Sequence, residues 1–510
     1  MKSTKSFITE IPLKTSSLEE SVLRKRFWSA RQQYNALLGE CLKRLEAMKK
    51  DPRYSEAKLL FKEKKTRLES KNLFKTLAKE YRYSEYSLST FSNQWNEKDP
   101  KTNKRQSLSI GAALSQKLAK RVFEACERYR KYKPAKKEDW GKNKGKPRFK
   151  GIRGLHSIED KQPTTLRIKD YFLEYLGLKM PLLVDLKDPV HHHCLESKLK
   201  YVRLVRREFN KNTRYFAQLV CEGQPYIKGK NLSRPGIIGL DIGPQTIAMV
   251  SKDSDFASIE IFADELKNKK REKERYQKLQ SRKERLCNKD CFEPDIWEKK
   301  DKHWKKKLGK NIKGKRLKKV TNSLQRLRKK LGDYFRKEAG TRKKLHGELI
   351  NRLLREGNEI KTEKINYKWF QSLHGKSVGL RAPGMFVEML RRKAVNAGGL
   401  VEEINTKETK LSQVCHCGAS KKKPLRTRWH ICNCGVRCQR DLYSAYLCMY
   451  VEKNKLIADQ AKSGWSRKDF VLYAAMSKLK QSKGGTIVPT SLGLKGMEKP
   501  GAETVAYAVS

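Results

Sequence analysis

Apolar and polar positions change rhythm several times along this chain, and each change marks a different kind of element. Residues 5–13 (KSFITEIPL) alternate as a strand does and end at Pro12. Ser17, two glutamates and an apolar rhythm through Leu23, Phe27, Trp28 and Tyr34 predict a capped amphipathic helix running on toward Leu45 and Met48. From about 51 to 135 the pattern stays helical, with Leu59/Leu60, Leu73/Leu77 and Leu114/Leu118/Val122 at three- and four-residue steps and a polar break over Asn93–Ser107. Residues 134–163 lose the periodicity and read as a Pro/Gly-rich basic linker. Short alternating runs return over 164–223, where Thr213–Glu222 reads as the return strand of a hairpin. With the strand near residue 8 they predict a small β-barrel or sheet.

The second half opens on a buried apolar run, GIIGLDIGPQTIAMVSK (236–252), which holds Asp241 and turns at Gly243-Pro244. Residues 264–348 are charged and helical, with Leu324, Leu327 and Leu331 at helical spacing, and predict an antiparallel helical pair. Leu345–Arg355 is a further helix, NEIKTEKI a strand carrying Glu363, Phe386–Val395 a helix and Leu400–Ile404 a strand. A helix opens at Asp441 and runs through Val451, and beyond about 480 a Gly/Pro/Ser/Thr-rich stretch reads as a flexible tail.

Charge narrows the class of partner. The 510 residues include 117 Lys and Arg against 56 Asp and Glu, a net charge of +61, which points to a polyanion and above all to nucleic acid. An anionic membrane is the alternative, but no apolar run approaches the roughly 18–20 residues a span needs, and no secretory signal is expected. Basic disorder is countered by a hydrophobic fraction of 37%. The 12 cysteines are spread thinly, as in a reducing compartment. Cys287 and Cys291 read as incidental, and His191, His192, His193 and Cys194 as a turn with exposed imidazoles next to Pro189.

Two tight pairs, Cys415/Cys417 and Cys432/Cys434, separated by a short basic loop, are what one tetrahedral Zn²⁺ asks of a chain. His430 or Cys438 stands close enough in sequence to replace a ligand, and cysteines packed without metal are the alternative. Asp241 sits in an apolar strand, where a lone carboxylate costs several kcal/mol and is therefore paired with a base or bound to a cation. Glu363 ends another strand, and Asp441 lies in a first helical turn, where the macrodipole favours an anion. Three such carboxylates converging on one side of a mixed sheet would repel one another unless divalent cations bind. Two Mg²⁺ would supply that charge. A salt bridge for any one of the three is the competing account.

The order GLDIG, the strand-borne Glu363, TKLSQVCHCG, the second Cys pair with Gly435, and RDLYSA resembles the RuvC-like half of TnpB transposon proteins and type V CRISPR effectors. RQQYNALL (31–38), GKPRFK (145–150) and YFAQLVCEG (215–223) resemble the family's wedge elements. Both Cys pairs are Cys-x-Cys where the family usually has Cys-x2-Cys, and Lys364 follows the Glu where the family favours an acidic residue. The resemblance implies an α+β multidomain fold: a helical recognition lobe, a β-barrel wedge domain and an RNase H-like (RuvC) α/β nuclease domain with an inserted zinc ribbon. The expected boundaries are a first wedge strand in 1–20, the helical lobe in 21–135 and the wedge barrel in 136–230. A RuvC-like nuclease would follow in 231–411 with basic helices 264–348 inserted, then the zinc ribbon in 412–438, the last RuvC helix region in 439–480 and the tail in 481–510.

It further implies an RNA-guided DNA endonuclease of the prokaryotic cytoplasm, nucleoid-associated when bound to DNA, with guide RNA and target double-stranded DNA as partners. Asp241, Glu363 and Asp441 would be the metal-binding catalytic triad. Read from the residues alone, Phe149 between Arg148 and Lys150 is a basic-aromatic contact to nucleic acid or a surface loop pinned by one Phe, and Arg440 is a further candidate on nucleic acid. Tyr81, Tyr83, Tyr86 and Trp95 are candidates to stack on bases, with core packing the expected fate of most of them. Guided binding without cleavage and a strand-transfer enzyme are the alternatives.

Overall fold

The computed structural model of the chain describes residues 5–481, apart from 64, 98–108, 132–144, 152–153, 161–163, 210–211, 262, 301–302, 313, 316, 318 and 425–426. The expected tail, and parts of the polar break and the linker, lie outside the described residues. The chain divides into two compact units, 1–226 and 227–510.

In the first unit β1 (Ser6–Pro12) leads into the long helix α1 (Ser17–Lys50). The cap falls one residue earlier than expected: Ser16 and Glu19 form a reciprocal capping box, because the Glu19 carboxylate is placed to accept from the Ser16 main-chain N–H at 2.7 Å. Leu23, Phe27, Leu37, Leu38, Cys41 and Leu45 form its buried face, whereas Trp28, read as part of that rhythm, is exposed. Helices α2 (Pro52–Leu60), α3 (Arg67–Glu80), α4 (Glu85–Glu97) and α5 (Ala112–Arg130) complete the helical part. Their core is joined to α1 by the buried Gln33 amide, which donates to Ser92 Oγ at 2.8 Å.

The strands of this unit correct the barrel expectation. Among the described residues β2 (Ser157–Glu159), β6 (Leu199–Glu208) and β7 (Thr213–Glu222) join β1 in an open antiparallel sheet of order β1-β7-β6-β2. Strands β3 (Leu166–Lys169), β4 (Phe172–Tyr175) and β5 (Leu178–Pro181) form a separate three-stranded meander. A single bridge, Leu13↔Leu182, ties the two sheets, so no continuous ladder closes. The histidine run is helical rather than a turn: Asp188 caps α6 (Pro189–Glu196), with Pro189 in the first turn, where a missing N–H costs nothing.

The second unit is organised on a five-stranded sheet of order β10-β9-β8-β13-β14. β8 (Ile237–Ile242), β9 (Thr246–Ser251) and β10 (Ala257–Ile261) are antiparallel neighbours, while β13 (Glu359–Glu363) runs parallel to both β8 and β14 (Leu400–Ile404). Between β10 and β13 come α7 (Lys270–Cys287), a hairpin of β11 (Ile296–Lys300) and β12 (His303–Lys307), and α8 (Asn322–Glu356). The hairpin was not legible in the sequence, and α8 is one helix where two were expected. After β13 come α9 (Tyr367–Arg381), α10 (Pro383–Asn396), β14 and the short α11 (Thr406–Thr409). Then follow β15 (Trp429–Ile431), β16 (Arg437–Gln439), α12 (Arg440–Cys448), the β17/β18 pair (Val451–Glu452, Lys455–Leu456) and α13 (Ala458–Gln481).

Strand periodicity sorts the two faces of this sheet. Ile238, Leu240, Ile242 and Ile360 point into a core with Leu349, Ile350 and Leu353 of α8 and Phe386, Val387 and Leu390 of α10. Ala248, Val250 and Ile259 face the other way, into a core with Leu442, Tyr443, Tyr446 and Leu472 from α12 and α13. Among the described residues no helix is long and apolar enough to cross a membrane.

Candidate active site and metal centre

Asp241 belongs to the α12 face of the sheet, because it alternates with Leu240 and Ile242, which are in the α8/α10 core. The pairing of β8 with β13 sets Leu240 opposite Thr362, so the next residue of each strand is a carboxylate, Asp241 and Glu363. Lys361, two residues before Glu363, donates to the Val451 carbonyl at 2.7 Å, which marks the same face of β13.

Helix α12 lies close over that face. A Cβ on Gly239 would fall 1.8 Å from the Ala445 carbonyl oxygen, so glycine is what allows the approach. Cys448 Sγ reaches the Leu240 carbonyl at 3.7 Å. One turn before Ala445 stands Asp441, at the start of the helix, whose cap is the Gln439 side chain accepting the Leu442 N–H at 2.8 Å. Two steps along β8 from Gly239 stands Asp241.

The electrostatics record this convergence. Burial pushes the Asp241 carboxyl well above the usual carboxylate range, and the negative charges of Asp441 and Glu363 push it further, against the pull of Arg440 and the Ser444 hydroxyl. Burial also pushes Glu363 up to about 7. Asp441 is partly offset by Arg440 Nε at 3.4 Å and by Arg428 at 4.0 Å. The repulsion that Asp241 feels from Glu363 and Asp441 is of the kind that a divalent cation bound beside it would relieve. The Arg440 guanidinium also donates to the Thr427 carbonyl at 3.0 Å and its side chain is 12% exposed, so in this structure it positions Asp441.

The cysteine cluster is built from two matching turns. Cys-His-Cys-Gly and Cys-Asn-Cys-Gly each end in a glycine with positive φ, Gly418 at 88° and Gly435 at 94°. The Cys415 N–H donates to the Ala419 carbonyl and the Cys432 N–H to the Val436 carbonyl, which closes each knuckle. The four sulfurs of Cys415, Cys417, Cys432 and Cys434 lie within 4.8 Å of one another, with Cys415–Cys434 at 3.6 Å and Cys417–Cys432 at 3.5 Å. A tetrahedral zinc with bonds of about 2.3 Å requires sulfurs about 3.8 Å apart, so the shortened Cys-x-Cys spacing is compatible with the ion. The Cys434 main-chain N–H pulls the Cys432 thiol down to about 7, toward the thiolate a metal needs. His430 and Cys438, paired across β15 and β16, are not in the group; Cys438 is buried in the α12 core.

Tyr443 links the two features and was not singled out in the sequence. Its hydroxyl accepts from the His416 main-chain N–H at 3.0 Å and lies 3.2 Å from Cys415 Sγ, while its ring faces His430 at 4.1 Å. It sits two residues after Asp441, so the cluster is anchored on the helix that carries the third carboxylate.

In the first unit the Arg148–Lys150 segment is fixed to α1 by Asn35. The Asn35 side chain accepts from the Lys150 N–H at 2.7 Å and donates to the Lys150 carbonyl at 3.0 Å. Phe149 stays 59% exposed. Of the candidate stacking tyrosines, Tyr83 is in the core, Tyr81 is bonded to Asp51 at 3.0 Å, and Tyr86 is exposed; the Trp95 side chain lies outside the described residues.

Comparison with known proteins matches residues 384–447, from α10 through the cysteine cluster into α12, to the family described as Cas12f1-like, TNB domain. This match supports the TnpB/type V CRISPR effector family. No curated protein matches the chain. Among solved structures, a cryo-EM structure of a Cas12f1–sgRNA–target DNA complex is 11% identical, covering 87% of this chain and 98% of that one with a TM-score of 0.42. A cryo-EM structure of a CRISPR-Cas12f ternary complex is 12% identical, covering 85% and 82%, with a TM-score of 0.29.

Proposed function

We propose that the chain is an RNA-guided DNA endonuclease that hydrolyses phosphodiesters at one RuvC-like site, with guide RNA and target double-stranded DNA as its partners. The observation that carries this reading is the buried Asp241 carboxyl, held in the repelling field of Glu363 and Asp441 on one face of a mixed sheet. The sheet order, with parallel strands on one side of β8 and antiparallel strands on the other, supports an RNase H-like nuclease domain.

In this reading Asp241, Glu363 and Asp441 hold two Mg²⁺. The ions would supply Lewis acidity, an activated water and charge for the leaving oxygen. The chain's own part is positional. β8 and β13 fix two carboxylates by strand pairing, and Gly239 sets the depth of α12. Arg440 and Arg428 orient Asp441, and Lys361 ties β13 to the β17 segment. The four cysteines hold one Zn²⁺ that stiffens the turns before α12.

Sequence would be read by guide pairing, while the protein holds the heteroduplex through its backbone. Arg148, Phe149 and Lys150, in the segment that Asn35 fixes through the Lys150 main chain, would contact nucleic acid, and the net charge of +61 makes the binding steeply salt-dependent. A Mg²⁺-dependent cleavage assay on a guided plasmid tests the reading. Guided binding with no cut would favour a silencing or recruiting protein, and strand-joined products a transposing enzyme.

A further inference from the structure

The β11–β12 hairpin is not explained by the proposed chemistry. Its register pairs Trp297 with Lys306 and Trp304 with Lys299. Residues two apart on a strand share a face, so Trp297, Trp304 and Lys306 belong to one side, with the two tryptophans on a diagonal. Such a diagonal is about 7–8 Å, within reach of aromatic side chains. Trp297 is 60% exposed and Trp304 65%. Two large aromatic rings left open on one face of a narrow ribbon require a reason.

The base of the ribbon is well secured. Arg285 of α7 donates to the Gly309 carbonyl at 2.7 Å, and its guanidinium lies 4.6 Å from the Phe292 ring centre. The Glu293 N–H donates to the Lys310 carbonyl at 2.9 Å, and Phe292 bridges to Asn311. A Cβ on Gly309 would fall 1.9 Å from the Glu293 carbonyl oxygen, so the two strands leave the base as close as backbone allows. The tryptophans therefore stand on an anchored platform.

We infer that this face is a stacking site for an unpaired DNA strand. Residues 296–319 contain twelve lysines and arginines against two acids, which selects a polyanion over a protein partner. An indole stacks only on a base whose own face is free, which selects single strand over duplex. The choice of DNA over RNA rests on the proposed nuclease reading. The hairpin is inserted between β10 and α8, and the last turns of α8 (Leu353, Leu354) pack in the core beneath β8, the strand of Asp241.

The test uses the full-length chain carrying Asp241→Ala, so that no strand is cut, and an oligo(dT) containing one 2-aminopurine. Salt is raised until most purely ionic binding is lost. Trp297→Ala/Trp304→Ala is expected to weaken binding about tenfold or more and to abolish the 2-aminopurine quenching, and Trp297→Phe/Trp304→Phe to retain most of both. Trp297→Leu/Trp304→Leu, which keeps apolar cover but removes the large π face, is expected to behave as the alanine pair. Unchanged affinity in the alanine or leucine pair would overturn the site, and preference for an RNA of the same length would overturn its assignment to DNA. Tryptophan-dependent DNA binding alongside a parent chain that fails to cut would leave this site standing and remove the nuclease reading alone.

Discussion

Gly239 of β8 and Ala445 of α12 are in direct backbone contact, with 1.8 Å between the Ala445 carbonyl oxygen and the place a Cβ at 239 would occupy. That contact sets how near Asp441 comes to Asp241. The obstacle is a main-chain carbonyl rather than a flexible side chain, so even one methyl group must move the helix.

Gly239→Ala is therefore expected to destabilise the second unit by about 1–3 kcal/mol or more and to lower cleavage, while guide RNA binding persists. Urea melts and a cleavage assay on the same preparation check it. Wild-type stability and activity would mean that α12 does not need this approach.

Metal analysis is expected to find about one zinc per chain, and Cys415→Ser or Cys432→Ser to lose it. Chelation should lower the melting temperature, because α12 is anchored on the cluster through Tyr443. No zinc in the purified chain would leave the cysteines as packed thiols.

Tyr443→Phe removes only the hydroxyl that accepts the His416 N–H and lies beside Cys415 Sγ. It is expected to weaken zinc affinity about 10–100-fold, as loss of an outer-shell partner typically does. Competition with a chromogenic chelator measures this directly.

His346 of α8 is buried against Phe386, with ring centres 5.6 Å apart, and burial pulls its imidazole down to about 4, with Arg342 adding to the effect. Its folded pKa lies below the unfolded value near 6.5, so the fold holds it neutral. The full contribution is present above pH 6.5 and is lost as pH falls toward 4, because only the unfolded chain takes the proton. From pH 7.5 to 5 the loss is about 2 kcal/mol. His346→Leu should show a correspondingly smaller acid destabilisation in urea melts at the two pH values.

Elements with strong alternation or clear stops were legible in the sequence. Thr213–Glu222 and Leu400–Ile404 are strands over those same residues, because turn residues mark where each begins, Asn210-Lys211-Asn212 before the first and Gly398-Gly399 before the second. The β11–β12 hairpin was hidden because lysine fills inward and outward positions alike, so the alternation that identifies a strand is absent. The histidine helix was missed because Asp188-Pro189 starts turns and helices equally well. The open sheets in place of a barrel depend on which strand edges meet, and hydrophobic pattern does not encode that.

For the proposed site, the three carboxylates stand out in the sequence by type and context, while the residues that support them do not. Asn35, Lys361 and Tyr443 act through main-chain groups of distant residues, which leaves no local signal. Gly239 is the exception in kind: a glycine inside a buried strand marks a close backbone approach.

In the proposed function Asp241, Glu363 and Asp441 form one cation-dependent nuclease centre. The most direct measurement is cleavage of a plasmid matched to the guide RNA, in Mg²⁺, by the parent chain and by Asp241→Ala. Loss of several kcal/mol of charge stabilisation predicts a fall of about a thousandfold or more, with guide and target binding retained. Cleavage by Asp241→Ala at the parent rate would contradict the account.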